Sequence, residues 1–203
     1  EKHQRNGSAN GKIMNYMPQT YLYPSDFATV LYASQLLQAD AIKYGVEHFR
    51  RNRGRCMGAI YWQLNDCWPV ASWSSVDYCG RLKALHYYAK RFFAGIMVSC
   101  EENGMVNSEI PLNWLPNEFV KSFRLCVANA TMNDETVTIK WQLRDTKANV
   151  LKSDETTVSV PKLGSTWIDK VDMSDIDIFS QYISYQAYID GSCVSEGTVI
   201  LSL

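Results

Sequence analysis

Apolar residues recur early in the chain at Phe27, Val30, Leu31, Leu37, Ala41, Ile42, Val46 and Phe49. That spacing of three to four lays them along one face of a helix. Ser25-Asp26 precedes the run as an N-cap with an acid in the first turn, and Gly54 stands where a C-cap belongs. The pattern predicts one long helix over residues 25–53, with Tyr32, Tyr44 and His48 on its flanks. Met57-Gly58-Ala59-Ile60-Tyr61-Trp62 follows as a continuous apolar run without alternation, which suits a strand buried on both faces of a parallel sheet. The run ends in the polar loop Gln63-Leu64-Asn65-Asp66, and a second helical stretch, Leu82 to Phe93, is entered through Asp77-Tyr78-Cys79-Gly80. Residues 1–24, punctuated by Gly7, Gly11, Pro18 and Pro24, read as loop. Helix, buried strand, loop and helix is the order of a (β/α) repeat.

After Gly95 the period drops to two. Phe123, Leu125 and Val127 alternate with polar neighbours, as do Val137, Ile139, Trp141 and Leu143, and again Ile183, Tyr185, Ala187 and Ile189. Asp190-Gly191 marks a hairpin into Val194–Leu201, and Thr156–Val160 and Thr166–Val171 supply two further strands around Gly164. Six or seven short antiparallel strands with Trp141 as a core tryptophan predict an immunoglobulin-like β-sandwich without its disulfide. The pattern therefore predicts a (β/α)-type helix–strand–helix unit followed, after Gly95, by a β-sandwich.

Charge supports that division. Residues 1–100 hold 12 Lys/Arg against 6 Asp/Glu, and residues 101–203 hold 8 against 15, within a net charge of −1. The overall balance gives no reason to expect nucleic acid or an anionic membrane as partner. The cluster Arg50, Arg51, Arg53, Arg55 reads as cations at a helix C-terminus rather than an anion site. His48 has no nearby partner that would make it a ligand. No apolar run is long enough for a transmembrane helix, and the polar start EKHQRNGSANGK has no signal-peptide core. The six cysteines show neither C-x-x-C nor zinc spacing, so reduced, mostly buried thiols are expected, with no metal and no cofactor. The compartment is not written in the chain, although these features lean towards the cytoplasm. Without a secretion signal, the sequons at Asn6 and Asn129 carry little meaning.

The stretch with most chemical character is Gly58 to Tyr78, which holds three of the six tryptophans. Sugars present apolar C–H faces and many hydroxyls. A sugar site therefore needs an aromatic platform beside amide and carboxylate groups, and Trp62 with Gln63, Asn65 and Asp66 offers that set. The competing explanation is structural: Trp68 and Trp73 as hydrophobic plugs, and Asp66 as a cap or turn residue.

The run Gly58-Ala59-Ile60-Tyr61-Trp62-Gln63-Leu64-Asn65-Asp66-Cys67-Trp68-Pro69, with Ser72-Trp73-Ser74 and Asp77-Tyr78, closely resembles the last barrel strand of family 2 glycoside hydrolases of the β-mannosidase type. The resemblance extends to His3-Gln4-Arg5, to Asp26-Phe27 and Ser34-Gln35-Leu36-Leu37-Gln38-Ala39, and to Lys83-Ala84-Leu85-His86-Tyr87-Tyr88. It implies a retaining exo-β-mannosidase that removes terminal β-D-mannose from oligosaccharides with two carboxyl groups. It further implies that Trp62 helps form a wall beside the sugar. Asn65 and Asp66 would shape the loop, and Trp68 is a weaker substrate contact. By the same resemblance both catalytic carboxylates belong on earlier barrel strands. Glu1 lies too close to His3-Gln4 to be the nucleophile, and no Asn-Glu acid/base motif is expected anywhere in the chain. The resemblance thus implies an inactive C-terminal portion, the last helix–strand–helix of a (β/α)8 barrel over residues 1–95 and an immunoglobulin-like β-sandwich over 96–203, whose partners are a β-mannoside oligosaccharide and the rest of its own polypeptide. The alternatives are a related exo-β-glucosaminidase and a non-catalytic carbohydrate-binding or scaffolding module displaying Trp114, Trp167 and Tyr188.

Overall fold

A computed structural model describes residues 3, 5–103, 121–177 and 179–200. The chain divides into two compact units, Glu1–Glu47 with Gly58–Phe93, and His48–Met57 with Ala94–Leu203.

The first unit is helical. α1 spans Ala9–Tyr16, a single 3-10 turn spans Met17–Gln19, α2 spans Phe27–Arg51 and α3 spans Ala84–Phe92. The stretch expected to be loop therefore contains a helix. Its two Asn and one Gly hide that helix from propensity, and its anchor, the fully buried Met17, lies just past its end. At the start of α2 the cap is Asp26 rather than Ser25. Its carboxylate accepts the Thr29 N–H at 2.9 Å and the Thr29 hydroxyl at 2.7 Å. Beyond the helix end, Gly54 takes the left-handed conformation, with φ at 101°.

The strand expected at residues 57–62 does not form. Ile60 is fully exposed, and the segment is extended without a ladder. A parallel strand exists only between neighbours, and no described strand lies beside this one. The nearest pairing is a parallel bridge from Asn65 to Val76 and an antiparallel one from Val76 to Leu82. Among the described residues no parallel sheet, and so no barrel, is visible.

Among the described residues, eight strands lie in the second unit: β1 Ile96–Asn103, β2 Ser122–Asn129, β3 Glu135–Asp145, β4 Val150–Val160, β5 Ser165–Trp167, β6 Val171–Asp172, β7 Gln181–Ile189 and β8 Ser192–Val199. They build two antiparallel sheets, β1-β2-β5 with β6 also on β2, and β4-β3-β7-β8. Period-two alternation sends Leu125, Val127, Val137, Ile139, Ile183 and Ala187 into one shared core. Trp141 is 6% exposed and meets Phe123 edge-to-face at 5.3 Å between ring centroids. Burying each such side chain contributes about 1.5–3 kcal/mol. The result is a mostly β sandwich of immunoglobulin-like kind.

Two departures from expectation have clear causes. β1 escaped notice because it is buried on both faces: Met97 and Ser99 are as inaccessible as Ile96 and Val98, so alternation is lost. The single strand expected at 166–171 is two, β5 and β6, each pairing separately with β2. The arginines do more than oppose a dipole. Arg50 donates to the Ala94 carbonyl at 2.8 Å, and buried Arg51 donates to the Cys100 carbonyl at 3.1 Å. None of the six cysteines forms a disulfide, but only Cys100 and Cys126 are buried, so the expectation of mostly buried thiols fails. Asn129 is buried and donates its side-chain amide to the Asn133 carbonyl, so it is closed to glycosylation in the fold.

Between β7 and β8, Asp190 and Gly191 both take positive φ (48° and 77°), the conformation of a two-residue hairpin turn. Farther along, Gly197 faces Tyr185 across the ladder. A Cβ placed there would come within 2.6 Å of ring atoms of a tyrosine that is 1% exposed. Gly197→Ala should therefore cost about 1–3 kcal/mol through overpacking. Urea unfolding followed by circular dichroism measures this, and an unchanged midpoint would show that Tyr185 has room to move.

Candidate functional site

The aromatic loop is held by a buried carboxylate. Asp66 is 7% exposed; its Oδ1 accepts the Ser72 hydroxyl at 2.6 Å and its Oδ2 accepts the Ser74 hydroxyl at 2.7 Å. Lys83 Nζ sits 3.7 Å from Asp66 Oδ2 and donates to Ser74 Oγ at 2.9 Å. Ser72-Trp73-Ser74 places both hydroxyls on the same side because residues two apart in an extended chain share a face. The tryptophan between them is turned the other way and remains 44% exposed. Burial pushes the Lys83 ammonium below its usual pKa, against the opposing pull of Asp66 and Asp77.

Backbone bonds then staple the two arms of the loop together. Ser75 N–H donates to the Gln63 carbonyl at 3.0 Å, and Val76 N–H donates to the Leu64 carbonyl at 2.8 Å. Tyr61 and Ser75 share a hydroxyl–hydroxyl bond of 2.9 Å. A tight turn closes the far end, where the Asp77 carboxylate accepts the backbone N–H groups of Cys79 and Arg81 and pairs with the Arg81 guanidinium at 2.6 Å. These bonds, chiefly that from the Arg81 backbone N–H, hold the Asp77 carboxyl below its usual pKa.

The four residues singled out in the sequence occupy different settings. Trp62 ends the apolar run at residues 57–62 and is 69% exposed, and its peptide bond to Gln63 is cis. Asn65 is exposed and donates its amide to the Asp66 carbonyl at 3.2 Å. Asp66 is turned inward onto Ser72, Ser74 and Lys83. Trp68 stacks on His3 at 5.5 Å, with the Arg5 guanidinium 5.6 Å from its ring centre, and His3 Nδ1 lies 2.8 Å from the Pro69 carbonyl. Asn65 and Asp66 are thus brought together, whereas no recorded ring contact joins Trp62 to Trp68.

A cleft of about 510 Å³ opens in the same unit, with Asn6, Lys12, Gln35, Gln38, Trp73 and Lys83 among its lining residues. Gln35 Oε1 accepts the Ala84 N–H at 3.3 Å, and Gln38 Nε2 donates to the Trp73 carbonyl at 2.7 Å. Of these, Gln35, Gln38 and Lys83 enter the sequence reading only through the family resemblance. The chemical signal is that a buried carboxylate needs donors, which Ser72, Ser74 and Lys83 supply. Among the described residues no group of three or more His, Cys, Asp or Glu is placed to hold a metal. No described helix is long and apolar enough to cross a membrane. Gln4 and Trp114 lie outside the described residues. Against expectation the chain does hold one Asn-Glu pair, Asn117-Glu118, which falls between β1 and β2 in the sequence and also lies outside the described residues. In the sandwich, Trp167 lies beneath the Arg124 guanidinium at 3.9 Å, and Tyr188 donates its hydroxyl to Gln186 at 2.9 Å.

Fold and loop together define a class. Residues 121–202 match the Mannosidase Ig/CBM-like domain. Similar curated proteins include the β-mannosidase of Capra hircus, 47% identical over 35% of this chain and 9% of its own length, and that of Rattus norvegicus, 36% identical over 50% and 13%. β-Mannosidase A of Aspergillus terreus is 37% identical over 46% of the chain and 10% of its own length. The crystal structure of β-D-mannosidase from Dictyoglomus thermophilum aligns with 99% of the chain and 23% of its own, at TM-score 0.83 and 25% identity. The exo-chitosanase CsxA of Amycolatopsis orientalis shares the fold at TM-score 0.66 and 18% identity. The resemblance to family 2 glycoside hydrolases of the β-mannosidase type holds for this chain. The chain spans about a tenth of the length of these curated relatives.

The buried pair makes a stability prediction. Asp66→Ala strands the Lys83 ammonium and should cost about 3–5 kcal/mol, while Asp66→Ala with Lys83→Met should cost less than the single change. The pH dependence follows in sign. Between the lowered folded pKa of Lys83 and its ordinary 10.5, the unfolded chain holds a proton that the folded chain has released. Stability therefore rises with pH across that window, and Lys83→Met should flatten the rise. Thermal unfolding across alkaline pH measures both effects, and an Asp66→Ala midpoint equal to that of the parent would contradict the pair's role.

Proposed function

We propose that this chain is part of a retaining exo-β-mannosidase that releases terminal β-D-mannose from oligosaccharides. Residues 1–95 would supply the last elements of its (β/α)8 barrel, and residues 96–203 the sandwich that follows. The observation that carries the proposal is Trp62: a large ring left 69% exposed beside a loop anchored by a buried ion pair. A protein leaves such a ring in water at a cost, and a rigid aromatic surface beside amides suits the C–H face of a sugar. Similar curated proteins are β-mannosidases. The run at residues 57–62, which joins no described sheet, fits the same proposal, because a barrel strand is completed by neighbours from the rest of the polypeptide.

In this scheme Trp62 forms a wall of the pocket that holds the terminal sugar. Asn65 and Asp66 keep the loop in shape, Asp66 through Ser72, Ser74 and Lys83. Trp68 is the outer contact. The two carboxyl groups that protonate the leaving oxygen and attack the anomeric carbon come from earlier barrel strands. The 203 residues alone then bind weakly and hydrolyse nothing.

The full-length protein carrying this chain should turn over an aryl β-mannoside, and Trp62→Ala should lower kcat/KM by about tenfold. The chain alone should leave the mannoside intact. Turnover of an aryl β-glucosaminide with none of the mannoside would assign the protein to exo-β-glucosaminidase chemistry instead. Hydrolysis by the purified 203-residue chain would overturn the assignment of both carboxyl groups to other strands.

A further inference from the structure

We infer that the cleft beside Trp73 is a second carbohydrate site, one that takes the neutral part of a β-linked manno-oligosaccharide beyond its terminal sugar. The inference rests on the β-mannosidase proposal above. It concerns residues which that proposal leaves without a role in binding.

The cleft has the size and chemistry of a ligand site. At about 510 Å³ it falls within the ordinary range for small-molecule pockets. Trp73 provides an aromatic face in a region where Leu31, Ile13 and Val70 supply the remaining apolar lining. Amides converge on it from separate elements: Asn6 from the segment before α1, and Gln35 and Gln38 from α2. Gln38 uses its Nε2 to hold the Trp73 carbonyl, which leaves its own carbonyl oxygen as an acceptor. Gln35 accepts from Ala84 N–H and keeps its amide hydrogens for a ligand. An aromatic platform flanked by amides in fixed positions is the pairing that sugar hydroxyls and C–H faces require.

Charge selects for a neutral occupant. Of the charged groups in the lining, Lys83 is paired with Asp66 and Asp77 is paired with Arg81. Only Lys12, exposed at the rim, is left to face a ligand, which is too little for an anionic one. The cleft is also coupled to Trp62, since Ser72 and Trp73 belong to the loop arm stapled to Gln63 and Leu64. On this reading, the sugars that follow the terminal one meet Trp73 as their aromatic contact on that loop.

The test is a titration of the isotope-labelled 203-residue chain with β-linked mannotriose, followed by NMR. Saturable shifts are expected at the Trp73 indole and at the side-chain amides of Asn6 and Gln38. Trp73→Ala should weaken binding by about tenfold or more, and Trp73→Phe should retain most of it. An absence of saturable shifts at these groups, shifts confined to Trp167 or Tyr188 of the sandwich, or unchanged affinity in Trp73→Ala would overturn the inference. The wild-type shift map decides the matter even if Trp73→Ala fails to fold. The outcome is separable from that of the parent proposal. Mannotriose binding without aryl mannoside turnover by the full-length protein would sink the enzyme assignment and leave the cleft standing, whereas turnover without cleft shifts would do the reverse.

Discussion

The aromatic loop depends on one buried ion pair. Asp66 and Lys83 come from opposite ends of an eighteen-residue excursion, and burial lowers the Lys83 pKa against the pull of Asp66. The hydroxyls of Ser72 and Ser74 complete the network by donating to both carboxylate oxygens. A partly satisfied buried network is costly, so the loop has one arrangement that satisfies every member and few that come near it. This is how a segment without a sheet, helix or disulfide acquires a defined shape.

A defined shape is what a sugar site needs. Sugars bind through many weak hydrogen bonds and the stacking of apolar ring faces, and each contact is lost if its partner must first be ordered. With its carboxylate turned inward, the loop keeps its indoles outward: Trp62 after the extended run, Trp68 against His3 and Arg5, and Trp73 over the cleft. On the proposed function, Asp66 acts through the loop rather than on substrate. In the sandwich the same economy appears in apolar form, where Trp141, Phe123 and Tyr185 interlock and Gly197 is the residue that leaves Tyr185 its space.

Much of this was legible in the sequence, and what was missed has physical reasons. The β3 and β7 strands announced themselves because one face is buried and the other wet, so Val137, Ile139 and Trp141 alternate cleanly with polar neighbours. β1 did not, because burial of Met97 and Ser99 on its second face erased the alternation. The run at residues 57–62 has the composition of a buried strand, yet Ile60 lies in solvent, because composition states what a strand wants and a ladder requires neighbours. α1 went unseen because its anchor, Met17, lies beyond its own end. At the site, Trp62, Asn65, Asp66 and Trp68 stood out as residue types. The partnership of Asp66 with Ser72, Ser74 and Lys83 did not, because hydrogen bonds across six to seventeen residues depend on how the loop turns. The cleft was invisible for the same reason, its lining being gathered from the segment before α1, from α2 and from the loop.

The central claim is that this loop presents Trp62 to a bound mannose ring. A crystal structure of the full-length protein with a mannose-configured inhibitor would test it most directly. The account predicts the indole of Trp62 against the C–H face of the sugar, with Asp66 still bonded to Ser72, Ser74 and Lys83. An inhibitor bound with Trp62 away from the sugar, or with the Asp66 carboxylate swung out to touch it, would contradict the account.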